Sequence, residues 1–302
     1  MTKPRALNVA LAVARGALLV VYDAEDRPAP DQLRLAAERF AADPDLDCLQ
    51  ARLIVDNGGD SWLAQMFAVE YATLFDLINP GLASLGLPIA LGGTSNHFRV
   101  PGLRRAGGWD AWNVTEDADL GLRLARLGMR VEALASDTLE EGPHSGRNWF
   151  RQRVRWQKGW IQTLIVHTRQ PRRVLRELGP GRALSAFALV CGGVVGGLFG
   201  AFFMVETIAR ALASLLLPDY SGLWYGDVVT IGLMLWGVQS VVVPTMLAMR
   251  RRRMPGVARV LLTMPFYFAL IAIASWVGLF ELIVRPFHWG KTEHGVAKGT
   301  RV

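Results

Sequence analysis

A chain of 302 residues with a 51% hydrophobic composition and a formal charge of +7 has room for one large or two ordinary domains. The positive charge is clustered, crowding residues 147–182 and 250–253 beside apolar runs, and this pattern suits an anionic membrane surface better than a nucleic acid. Two cysteines, Cys48 and Cys191, supply neither a disulfide framework nor a metal-ligand spacing.

Composition divides the chain near residue 180. The first part has the interspersed charge and mixed periodicity of a soluble α/β domain, whereas residues 183–285 are dominated by apolar runs. Residues 1–15 lack the uninterrupted apolar core of a signal peptide. Residues 6–13 read as a helix, with Leu7, Ala10 and Leu11 at helical spacing. It leads into an apolar run, 17–22, that ends in Asp23, Glu25 and Asp26. A continuous aliphatic run predicts a strand buried on both faces of a parallel sheet. Carboxylates at its carboxyl end would face the crevice where open α/β sheets bind ligands. Asp23 and Glu25 together suit a hard divalent cation on diphosphate oxygens; the plainer alternative is that the acids begin a turn.

An amphipathic helix follows at 31–42, then a strand at 48–55 and a turn at Asn57-Gly58-Gly59. A long aromatic-rich helix is expected from 61 to 77, closed by Asn79-Pro80-Gly81, and a short strand from 87 to 91. Next, Gly93, Thr94, Ser95, Asn96 and His97 bring a glycine and small polar side chains close to any ligand, or form an ordinary hairpin. After the loop Gly107-Gly108-Trp109-Asp110, Thr115-Glu116-Asp117 opens a helix with Leu120, Leu124 and Leu127 in register and Gly128 beyond its end. Its acids serve either catalysis or the helix dipole. Residues 129–134 read as a strand.

From Asn148 a helix carries Gln152, Arg155 and Trp156 on one face, offering an amide, a guanidinium for phosphate and an indole for a sugar ring. The same residues also suit an interfacial helix. Three apolar segments follow. Residues 184–217 are too long for one upright span and are interrupted by Glu206 and Arg210, which suggests a break, an interfacial turn or an internal pair; 228–249 and 259–284 are each span-length. The positive-inside rule places 250–253 on the cytoplasmic side with the soluble domain.

The order Asp-x-acid, Thr-Glu-Asp, Gln-Arg-x-Arg-Trp ahead of membrane spans resembles the inverting family 2 glycosyltransferases. Within them it resembles the bacterial membrane-embedded branch related to cellulose, chitin and hyaluronan synthases. The likeness runs from Lys3-Pro4-Arg5-Ala6-Leu7-Asn8 to the tail 286–295. It implies a partial GT-A domain at 1–146, interface helices at 147–182, three or four transmembrane helices at 183–285 and a cytoplasmic gating-like tail at 286–302. It implies Mg2+ or Mn2+ on Asp23 and Glu25, where Glu25 replaces the family's second aspartate. It assigns Asp117 as general base with Glu116 in support, Gln152, Arg153 and Arg155 to the donor diphosphate, and Trp156 with Gly93–His97 to the acceptor. In the tail, Trp289, Lys291, Thr292 and His294 resemble a nucleotide-approaching loop. The implied partners are a nucleotide-sugar such as a UDP-hexose, a glycan or lipid-linked acceptor, the bilayer of a bacterial inner membrane and accessory export subunits, with no nucleic acid. Because Lys3–Asn8 matches a helix inside the family's catalytic domain, the likeness also implies an N-terminally truncated chain. A transferase of single sugars to lipid and a silent membrane fragment are the competing expectations.

Overall fold

The computed structural model describes residues 2–216 and 225–286. Its first half is α/β. In chain order it contains α1 (Lys3–Val13), β1 (Leu18–Val21), β2 (Arg27–Pro28), α2 (Gln32–Ala42), β3 (Leu46–Val55), α3 (Trp62–Thr73), a π-turn (Leu74–Ile78), α4 (Asn79–Ser84), β4 (Asn96–Arg99), α5 (Val100–Arg105), α6 (Glu116–Arg126) and β5 (Arg130–Glu140). The second half is helical: α7 (Gly146–Thr168), α8 (Pro171–Leu178), α9 (Pro180–Leu216), α10 (Tyr225–Arg251) and α11 (Val257–Val284).

The strands lie in the order β1-β4-β3-β5-β2. β4 is antiparallel to both β1 and β3, and β3 runs parallel to β5. Hence β1, β3 and β5 point the same way, and their carboxyl ends share one rim of the sheet. The acidic stretch after β1 and Glu140 at the end of β5 therefore arrive at the same place.

Several expectations are corrected. β1 is not a doubly buried strand of a parallel sheet: it is an edge strand paired only with antiparallel β4, and Leu18 is exposed. Its aliphatic run reflects packing of Val21 against the α1, α5 and α6 side rather than two covered faces. Residues 87–91 form no strand. Pro88 lacks an amide hydrogen, and nearby backbone groups are met by side chains instead: Asn79 Nδ2 donates to the Ala90 carbonyl, and Gly92 N–H donates to Gln50 Oε1. Asn79-Pro80-Gly81 does not end the aromatic helix, because α3 passes through the π-turn into α4. Pro80 sits in the first turn of α4, where no intrahelical donor is required. Asn96, His97 and Phe98, expected in a loop, belong to β4. Of the alternatives for Glu206 and Arg210, the internal pair is the one observed: they form an i,i+4 ion pair of 2.8 Å within α9.

Other elements follow the sequence closely. Ser61 caps α3 by accepting from Ala64 N–H at 3.1 Å. Gly128 takes φ +72° just past α6, the left-handed stop that favours glycine. Leu120 and Leu124 are fully buried with Phe98, Leu103 and Trp109 beneath α6; truncating Leu120 to alanine would cost about 2–5 kcal/mol. A second core joins the domain to the helices, with Phe67 and Tyr71 of α3, Trp149 of α7, and Met264 and Tyr267 of α11. α7 crosses α11 at Gly278, where an added Cβ would lie 2.9 Å from the Val154 carbonyl. Two described helices, over Pro180–Arg210 and Val257–Val284, are long and apolar enough to cross a membrane. The tail residues Trp289, Lys291, Thr292 and His294 lie outside the described residues.

Candidate active site

The shared carboxyl rim opens into a cleft of about 250 Å³. Asp23 and Glu25 reach it from the turn after β1, Gly93 and Thr94 from the segment before β4, Glu116 and Asp117 from the first turn of α6, and Gln152, Arg155 and Trp156 from one face of α7. Nine of the residues singled out in the sequence thus converge, although they are spread over more than 130 positions. Those outside α7 lie at or beside the start or end of an element, and the three on α7 share the helix face turned to the cleft.

The Glu116–Asp117 end is the more enclosed. Glu116 is buried, and Asp117 Oδ1 accepts from Ala118 N–H at 2.8 Å. A Cβ at Gly93 would stand 3.2 Å from Asp117 Oδ2, so glycine there lets the chain pass over the carboxylate. Burial is the first cause that pushes both carboxyls upward from their ordinary range, and the positive charges of Lys3 and Arg155 oppose it. Arg155 is itself lowered by burial and held up by Glu116 and Asp117.

Trp156 is fixed from behind. It stacks on Phe67 at 5.6 Å and 27°, and lies near-parallel to Tyr71 at 6.4 Å, while the Arg153 guanidinium covers it at 4.9 Å. Gln152 is buried, and its Oε1 has no hydrogen-bond partner among the described residues. An unsatisfied amide oxygen at the wall of a polar cleft suits a donor from a ligand.

Four residues assigned a ligand role in the sequence are not brought to the cleft. Arg153 points away from the cleft, behind Trp156, where it forms a bidentate pair with Glu70 and donates to Tyr267 Oη at 3.0 Å. One face of a helix cannot hold positions 152, 153 and 155 together. Ser95 donates to Thr138 within the sheet, Asn96 donates to the Gly92 carbonyl, and His97 meets Tyr22 edge-on. Burial pushes His97 down to about 4, so it is neutral at ordinary pH. The strand β4, which starts at Asn96, and the residue just before it turn these three side chains inward.

Three polar cleft residues escaped the sequence. Lys3 pairs with Asp23 and donates to the Gly93 carbonyl at 2.8 Å; nothing local marks it. Tyr71 of the aromatic helix lies at the border between the core and the cleft. Glu140 was legible in principle, since it ends a strand as Asp23 follows one. Burial pushes it up to about 8, with the charges of Asp26 and Asp23 adding to the effect.

The hard-oxygen donor set suits a divalent ion. Asp26 Oδ1 and Glu140 Oε2 are buried without hydrogen-bond partners, and the Lys3 ammonium already answers the same negative field. Among the described residues, no three acidic, histidine or cysteine groups converge to ligating distance.

A mixed α/β sheet with acids along one rim, followed by apolar helices, fits a GT-A domain joined to a helical region. The sequence profile of glycosyl transferase family group 2 matches residues 18–288, and the chain belongs to that family. It is 27% identical over 142 residues to a probable glucomannan 4-beta-mannosyltransferase of Arabidopsis thaliana, covering 47% of this chain and 26% of that one. It is 28% identical over 173 residues to a beta-monoglucosyldiacylglycerol synthase of Synechocystis, covering 55% and 35%. The chain therefore spans about a quarter to a third of the length of these relatives. Among solved structures, a mannosyltransferase of Pyrobaculum calidifontis in complex with GDP-Man and Mn2+ matches with a TM-score of 0.48 and 20% identity, covering 91% of this chain and 66% of that one.

Proposed function

We propose that the protein is an inverting hexosyltransferase that moves a sugar from a nucleotide-diphosphate donor to a hydroxyl of a growing polysaccharide at the cytoplasmic face of a bacterial inner membrane. The observation that carries this is the convergence of Asp117, Arg155, Trp156, Asp23 and Glu25 on one cleft. In this reading the acceptor oxygen bonds to the anomeric carbon as the bond to the diphosphate breaks, and the hydroxyl proton passes to Asp117. A base with an upward-shifted pKa suits that task at neutral pH. Arg155 faces the charge that develops on the departing diphosphate, the Gln152 amide binds a polar group of the ligand, and Trp156 offers its ring to the acceptor sugar. Asp23 and Glu25 would hold Mg2+ or Mn2+, whose chemistry is to neutralise the diphosphate as it leaves.

A second reading, transfer of one sugar to a lipid, is favoured by the likeness to the glucosyldiacylglycerol synthase. The first draws on the likeness to the glucomannan mannosyltransferase and on the aromatic platform. Incubating the membrane-reconstituted chain with radiolabelled nucleotide-sugars and sizing the product separates them. A high-molecular-weight glycan supports the first reading and a single-sugar lipid the second. The absence of nucleotide release with any donor rejects both.

A further inference from the structure

The loop that delivers the base is gripped by a helix whose known-looking residues face elsewhere. Asn113, Val114 and Thr115 precede Glu116 and Asp117 and have no strand to hold them. Their polar groups are met largely by α7, one to two turns beyond Trp156. Asn113 Nδ2 donates to Thr163 Oγ1 at 2.9 Å, and both residues are buried. Asn113 Oδ1 then accepts from Thr115 N–H at 3.0 Å, and Val114 N–H donates to Gln162 Oε1 at 3.2 Å. The other end of the same amide, Gln162 Nε2, donates to the Pro286 carbonyl at 3.2 Å, while Lys158 donates to the Arg285 carbonyl at 2.7 Å. Between these contacts α7 presents Gly159. A Cβ there would stand 2.8 Å from the Cβ of Thr115. That neighbour is not the tip of a flexible side chain, so even alanine would push the backbone before Glu116.

We infer that Gly159, Gln162 and Thr163 are positioning residues that set the Glu116–Asp117 carboxylates, and that Gln162 ties this loop to the chain leaving α11. The inference rests on the reading of Asp117 as the base. Thr163 and Gln162 fix the loop by hydrogen bonds, while Gly159 fixes how closely it approaches α7. None of the three lines the cleft, so their effect passes through the placement of Asp117. A displacement of about 1 Å at a catalytic group lowers turnover by roughly 100-fold.

The test compares Gly159→Ala, Thr163→Val, Thr163→Ser and Gln162→Glu in the full chain reconstituted in nanodiscs. The first readout is hydrogen exchange of the amides at 113–120, which needs no turnover; the second is transfer kinetics. Gly159→Ala and Thr163→Val are expected to raise exchange at 113–120 and to lower kcat, by roughly 100-fold and tenfold respectively. The KM for the donor is expected to be unchanged. Thr163→Ser keeps the hydroxyl acceptor and restores both readouts. Gln162→Glu keeps the acceptor for Val114 but loses the donor to Pro286, so it loosens the chain at 285–286 while 113–120 stays protected. Unchanged exchange at 113–120 in both Gly159→Ala and Thr163→Val overturns the inference. So does a joint fall of kcat and donor affinity that Thr163→Ser fails to restore. Raised exchange in a chain whose wild type transfers no sugar rejects the proposed reaction and leaves the positioning contacts standing.

Discussion

The two ends of the cleft are built in opposite ways. Asp23 and Glu25 follow an edge strand; Asp23 has a side chain 37% exposed and is answered by a lysine that is itself 27% exposed. Glu116 is 5% exposed, and the loop before it is pinned to α7 by buried side chains. An exposed carboxylate keeps its water and exchanges partners at little energetic loss, whereas a buried one is desolvated and its environment sets its proton affinity. The Asp23–Glu25 end therefore tolerates rearrangement as a charged ligand arrives. The Glu116–Asp117 end is organised in advance, as the proposed role of Asp117 requires.

The largest effect expected from this contrast is at Asp117. Asp117→Asn should lower turnover by about 10²–10⁴-fold while nucleotide-sugar affinity, measured by calorimetry, stays close to wild type; unchanged turnover would show that the base lies elsewhere. At the other end, Asp23→Asn and Glu25→Gln should raise the Mn2+ concentration needed for half-maximal donor binding by roughly tenfold or more, and EDTA should mimic them. A metal titration that these variants leave in place would remove Asp23 and Glu25 from the donor end.

The pH dependence separates the ends next. Because the base acts deprotonated and burial raises its pKa, kcat should climb with pH through a limb above the ordinary carboxylate range. Glu116→Gln removes a neighbouring negative charge and should move that limb to lower pH, whereas Glu25→Gln should leave it in place. Behind the cleft, Arg153→Met removes one partner of the Glu70 pair. The penalty for a fully buried pair is about 3–5 kcal/mol; with Glu70 at 36% exposure a loss of about 2 kcal/mol is expected, read as a lower Tm with Asp117-dependent chemistry retained.

The smallest effect concerns Glu140. Its folded pKa of about 8 lies above the ordinary 4.5. Its contribution to stability is therefore complete below about 4.5 and is lost as pH rises towards 8. Glu140→Gln should match the wild-type Tm at pH 4 and exceed it by a few degrees near pH 9. Equal Tm values at both would place Glu140 in water.

Much of the cleft's lining was legible because it sits where an element ends or where a helix face changes character. Asp23, Glu116 and Gln152 each stand where an apolar period stops or a helix face turns polar, and such changes are visible in one dimension. The helix limits of α2 and α6 followed from the same periodicity. What was not legible was direction. Arg153 is adjacent to Gln152 in sequence but turned out of the cleft behind Trp156, and its destination depends on Glu70 and Tyr267, more than 80 positions away. Asn96 and His97 looked like loop ligands because no local signal shows that β4 completes a sheet between β1 and β3.

By itself the sequence determined the α/β-then-apolar architecture and the inventory of acids, guanidinium and indole, because periodicity and composition are properties of neighbouring residues. Tertiary structure decided that β1 is an edge, that Lys3 and Glu140 join the acids, and that Gly159 must be bare for Thr115 to pass. Those outcomes depend on distances between segments far apart in the chain, which only the closed sheet and the crossing of α7 over α6 and α11 set.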